Sequence, residues 1–240
     1  MSIEFFLILG LGIFLGFFIQ TIIGFAGALI ALPILLITMS LKDAIAYLAV
    51  FYLYSSIILV SKEWKNINRR VIFKLVLATI FGVSLGIIVL QYGKPTVLKK
   101  MLGVFILIYV MYSIYIKDKL IKNTKLEFIF SLAGGFFSGL FSTGGPLYVI
   151  VVRNSVVDMK VFRATMFGVL GLITITRIPI LYIQGILKFH HLYYSLILSP
   201  LFLLAIYLGK KMYLKLSEAL LKKTVLMVLF LSGLMLILKN

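Results

Sequence analysis

A chain of 240 residues that is 62% hydrophobic and only 13% charged, with a mean hydropathy of +1.17, has too much apolar surface for a water-soluble core and reads as an integral membrane protein. Its net charge of +17 would suggest nucleic acid in a soluble protein. Here the basic residues fall between apolar runs, where they set orientation and meet anionic lipid, so nucleic acid is not an expected partner. There is no cysteine, which excludes disulfides and thiolate chemistry, and no cofactor or metal site is implied.

The N-terminus, Met1 to Glu4, lacks a basic n-region, and the apolar run behind it is far longer than a signal-peptide core, so it is expected to be retained. No charge occurs from Phe5 to Leu41, 37 positions. As one helix this run would rise about 55 Å, against a hydrocarbon core of roughly 30 Å. Glycine costs about 1 kcal/mol in a helix interior and proline about 3, so Gly24, Gly27 and Pro33 predict an interruption. Two arms result, about Phe5 to Ile23 and Phe25 to Met39, as a hairpin or re-entrant pair. Ala44 to Ser61 makes a crossing that ends at a polar stretch with Trp64, an interfacial anchor. Leu75 to Gly93 and Met101 to Ile116 are the next two. A basic linker, 119–126, then separates the halves.

The second half replays the first. Gly16-Phe-Phe returns as Gly135-Phe-Phe, and Pro95 to Lys100 resembles Ser217 to Lys222. Phe128 to Val152 carries the second interruption, Ser142-Thr143-Gly144-Gly145-Pro146. Ala164 to Leu187 is a crossing that contains Arg177 and Pro179. Leu192 to Gly209 and Thr224 to Leu238 complete the set. The expected fold is an all-α polytopic membrane protein of two repeats, 1–118 and 127–240, each a glycine-broken helix or hairpin followed by three transmembrane helices.

A glycine-rich, proline-closed element early in each half, Gly24, Gly27 and Pro33 and then Gly144, Gly145 and Pro146, resembles the sulfite exporter TauE/SafE family, also called the toluene sulfonate uptake permeases. This chain has Ala26 and Ala28, and Ser142, where glycine is usual. The resemblance implies a cell-membrane transporter of sulfite, sulfonates or related organosulfur acids, and not an enzyme.

Charge counting favours the hairpins. With every segment crossing once, the Lys and Arg outside Arg177 divide 11 to 12; with both glycine segments re-entrant they divide 17 to 6, the bias of the positive-inside rule. The repeats would then be inverted, with loops 62–74, 117–125, 153–163 and 210–223 cytoplasmic and both termini outside.

A helix restarting inside the membrane offers unpaired N–H groups and a partial positive charge to an anion, and paired breaks point to a transporter's site. The candidate donors are the N–H groups around Gly24 to Gly27 and Thr143 to Gly145, the Ser142 and Thr143 hydroxyls, and the Gln20 amide. Pro33, Pro146 and Pro179 are the expected structural breaks. Arg177 is an intramembrane cation able to hold a carboxylate or sulfonate bidentately; its alternative role is to solvate a carbonyl freed by Pro179. The glycines of Gly12-x3-Gly16 and Gly135-x3-Gly139 are expected to pack helices. His190 and His191 are expected at a segment edge, with no nearby acid to complete a metal site. All seven acids lie in loops or at segment ends, which disfavours a buried carboxylate relay and leaves proton symport or facilitated diffusion. Competing classes are an anion pore, a membrane assembly factor, or an intramembrane serine protease using Ser138 with His190 or His191.

Overall fold

The computed structural model describes residues 3–115, 124–213 and 218–238. The expected linker lies largely, and both chain ends wholly, outside them. The described residues form helices joined by short turns: α1 Ile3–Ile23, α2 Gly27–Leu35, α3 Leu41–Glu63, α4 Arg69–Tyr92, α5 Pro95–Tyr115, α6 Thr124–Phe141, α7 Gly145–Ser155, α8 Met159–Ile183, α9 Phe189–Ile197, α10 Ser199–Tyr213 and α11 Glu218–Leu238. Five of them (α1, α3, α4, α5 and α8) are long and apolar enough to cross a membrane, and the bent α9–α10 pair makes a sixth candidate. The all-helical polytopic fold is as expected.

Starts are written into the sequence. Ser40 accepts the Asp43 N–H at the head of α3, Asn68 accepts from Val71 at the head of α4, and Asp158 accepts from Val161 at the head of α8, each satisfying one of the orphan donors of a helix N-terminus. Side chains are apolar outside as well as inside. Along α4, Phe73, Leu77, Phe81 and Leu85 are exposed while Leu75, Gly82 and Gly86 are buried, as lipid on the outer face requires.

Both short helices double back. A Cβ on Gly12 would meet Leu35 at 2.9 Å, and one on Gly16 would meet Ala31 at 2.8 Å, so α2 returns antiparallel along α1. Likewise Gly134 of α6 faces Tyr148 of α7. The 21 residues of α1 rise about 31 Å, but the nine of α2 only about 13 Å; α2 is a re-entrant arm.

Beyond these hairpins, α1 packs on α10, α4 on α6, α3 on α8 and α5 on α11. The α4–α6 crossing is backbone on backbone. Any Cβ at Gly82 or Gly86 would collide with the carbonyls of Leu132 or Phe136, and one at Gly135 would lie 2.8 Å from the Thr79 oxygen. Small residues permit that approach.

Three expectations about breaks change. The first interruption falls at residues 24–26 and not at Pro33, which lies inside α2; Gly24 takes it with φ of +89°, a conformation other residues adopt only with strain. Pro179 lies inside α8, which continues through it. Conversely, Leu192 to Gly209 is not one straight crossing: α9 and α10 meet at 58°, because Pro200, at the second position of α10, has no N–H with which to continue the α9 ladder.

Candidate functional site

The two interruptions meet. Gly145, the first residue of α7, lies against Phe25; a Cβ there would be 3.2 Å from the Phe25 Cβ. Between them is a small cleft lined by Ala26, Leu29, Tyr52, Ser142, Thr143, Gly145, Pro146 and Leu170. Ser142 takes φ of +63° and Ala26 φ of +72°. Non-glycine residues held in the left-handed region mark an over-determined turn.

Arg177 approaches this cleft from α8. It is 2% exposed, and its Nη1 donates to Ser142 Oγ at 2.7 Å. Nε and Nη2 have no protein partner. Among the described residues no carboxylate pairs with it; Glu63 is taken by Arg163 and Asp43 by His191. A buried cation without a counter-ion is costly, so this place in the fold is suited to receive negative charge. Thr143 Oγ1 is also buried and unpartnered.

Backbone donors divide between spent and unspent. The N–H groups of Gly24, Ser142 and Thr143 bond to Gln20, Ser138 and Phe137 carbonyls, and Ala28 donates to the Tyr52 hydroxyl at 2.9 Å. Those of Gly144 and Gly145, at the head of α7, have no acceptor among the described residues.

The predicted residues therefore sort into groups. Ser142, Thr143, Gly145 and Pro146 line the cleft, and Ser142 links it to Arg177. Gly27 sits beside Gln20 and Tyr52. The Gln20 Nε2 donates one of its two N–H groups to Ser55 at 3.0 Å, and its Oε1 is buried without a partner. Gly24 lies against Arg163 instead, where a Cβ would come within 3.0 Å of the Arg163 Cγ. At Gly144 a Cβ would strike the Gly134 carbonyl and Ser138 Oγ, which makes Gly144 a packing position between α6 and α7.

Sequence reasoning missed Tyr52 and Arg163. Arg163 is buried at the start of α8, donating to the Thr21 carbonyl and Glu63, each at 3.3 Å, and stacking 4.0 Å over Tyr213. It thus ties α8 to the ends of α1, α3 and α10. Substituting Arg163→Met strands Glu63, whose side chain is 16% accessible, and is expected to cost about 3–5 kcal/mol. The double variant with Glu63→Gln should recover part of the loss in a detergent melt; equal melting of single and double variants would show that the charge is not what matters.

His191 also departs from expectation. It is fully buried, meets Tyr47 edge-on, accepts the Lys188 N–H through Nδ1, and meets Asp43 through Nε2 at 3.2 Å. Asp43 is 148 residues away in sequence, which hid the pairing. His190 completes a group of three close ligand atoms, but with Nδ1 accepting from the backbone the ring proton belongs on Nε2, directed at Asp43, so a metal there would have to displace it. Among the described residues Ser138 makes no hydrogen bond to either histidine, and a serine–histidine couple is not formed.

A family model described as Sulfite exporter TauE/SafE matches residues 8–236. A protein of Methanocaldococcus jannaschii named as a probable membrane transporter protein is 29% identical over 197 residues, 74% of this chain and 73% of that one. No solved structure matches. With the membrane-length helices and the family model spanning nearly all of its length, the chain belongs to the sulfite exporter TauE/SafE family.

Proposed function

We propose that this protein is a secondary transporter of small anions, namely sulfite, sulfonates or related organosulfur acids, which bind between the two interruptions. The observation that carries this is Arg177: a buried guanidinium with two unpartnered nitrogens and, among the described residues, no carboxylate paired with it. The unspent N–H groups of Gly144 and Gly145 add the positive end of α7. Ser142 orients the guanidinium. The family's description as sulfite exporters supports the choice of sulfur oxyanions. The cleft is small, and alternating access would widen it by parting α2 from α7.

The chain is organised, in our reading, as two inverted repeats, 1–118 and 127–240. Supporting this are the pairing of α1 with α10 and of α6 with α4, which exchanges the halves, and the 118-residue spacing of the positive-φ residues Gly24 and Ser142. The end of α3 and the start of α8 share one side through Glu63 and Arg163; Lys42 reaches Gln91 on the other. The 17 to 6 division of basic residues makes the Arg163 side cytoplasmic. In intact cells a cysteine at Lys94 should label from outside and one at Asn66 should not; the reverse would invert the orientation.

The function is tested by uptake of sulfite, sulfonates and carboxylates into proteoliposomes with parallel current recording. Saturable uptake is expected. Ion-selective single-channel currents would mark a pore, and no flux of any anion would end the transport reading.

A further inference from the structure

The donors of the anion site proposed above, on which this inference rests, are directional. In Arg177, Nη1 is turned to Ser142 Oγ, while Nε and Nη2, which share one edge of the planar guanidinium, are both free. That edge carries two parallel N–H groups, matched to two oxygens on one central atom. A halide or a rod-shaped anion uses only half of it.

Tyr52 of α3 stands on the cleft wall with Ser142 and Thr143 and is 5% exposed. Its hydroxyl oxygen already accepts the Ala28 N–H. No described hydrogen bond uses its own proton, which is thus available to an oxygen in the cleft. Phenylalanine would fill the same space without that donor. Nothing in the helix packing needs the proton itself, since the contact to α2 runs through the oxygen.

We propose that Tyr52 determines specificity by donating to the third oxygen of an anion whose other two oxygens lie on the free edge of Arg177. The site then prefers groups with three oxygens on one atom, such as sulfonate or sulfite, over carboxylates. Methanesulfonate and acetate isolate the effect: both are fully ionised singly charged anions near pH 7, each with one methyl group, and they differ in the oxygen Tyr52 would hold. Their affinities are measured on the same purified protein.

Wild type is expected to favour methanesulfonate, and Tyr52→Phe to lower the methanesulfonate-to-acetate affinity ratio by roughly 10-fold or more, the value of a hydrogen bond to a charged group. A purely structural role, through Ala28, would weaken both anions together. An unchanged ratio therefore overturns the proposal. If Tyr52→Phe does not fold, 3-fluorotyrosine placed at position 52 keeps the hydroxyl and makes it a stronger donor; the ratio should rise, and a constant or falling ratio again overturns it. Failure of the wild type to bind either anion would instead reject the anion site itself.

Discussion

Arg177→Gln should abolish most anion binding and transport while leaving the protein folded. Losing charge-assisted contacts costs about 1.5–3 kcal/mol, a roughly 10- to 150-fold rise in apparent Kd. Gln carries no charge and ends two bonds short of the Nη1 that meets Ser142. Its melting temperature should hold or rise, because the variant removes a buried cation that has no counter-ion among the described residues. Arg177→Lys should fall between, since a point charge replaces a fork that engages two oxygens. If the guanidinium instead served only to support the second interruption, through Ser142, the order would reverse: Gln would lose stability and the surviving protein would bind as wild type does. Titrating and melting the same purified variants separates the two, and unchanged affinity in Arg177→Gln would remove this residue from the site.

Gly86→Leu is expected to prevent accumulation of folded protein. Its Cβ would overlap the Phe136 carbonyl and approach the Leu140 nitrogen, which are backbone atoms of a helix that cannot turn aside as a side chain does. Overpacking against side chains costs about 1–3 kcal/mol and more where nothing can yield. Gly171→Ala provides the contrast. There the added methyl meets Val60 at 3.4 Å and Ser56 at 3.9 Å, ordinary contacts, and alanine is the better helix former; expression and melting should equal or exceed wild type. Similar expression of the two variants would show that α4 and α6 do not pack as described.

Which parts of the structure were legible in the sequence follows from the range of each interaction. Uncharged runs locate the long helices because the bilayer fixes their length, and the interruption near Gly24 is visible because glycine weakens a helix locally. The return of α2 along α1 was accessible only through charge counting, a global constraint. The bend at Pro200 was legible in principle, since Ser199-Pro200 stands inside an apolar run, but the proline at 33 carries the same signal and α2 accommodates it. At the site, Arg177 announces itself as a charge in an apolar segment. Tyr52 does not, because tyrosine is ordinary in such a segment and its place opposite Ala28, 24 residues away, is set by packing. The same holds for His191 with Asp43 and for Arg163 with Glu63, 100 residues apart. Gln20 shows a further limit: one of its two amide N–H groups goes to Ser55, 35 residues away, a partner that nothing beside the glycine break announces.

Counterflow in proteoliposomes addresses most directly whether this chain carries small oxyanions by alternating access through the Arg177 cleft. Vesicles loaded with unlabelled sulfite and diluted into a trace of radiolabelled sulfite should take up label transiently above equilibrium, and Arg177→Gln vesicles should not. Uptake that only rises to equilibrium, or an overshoot that survives Arg177→Gln, would contradict it.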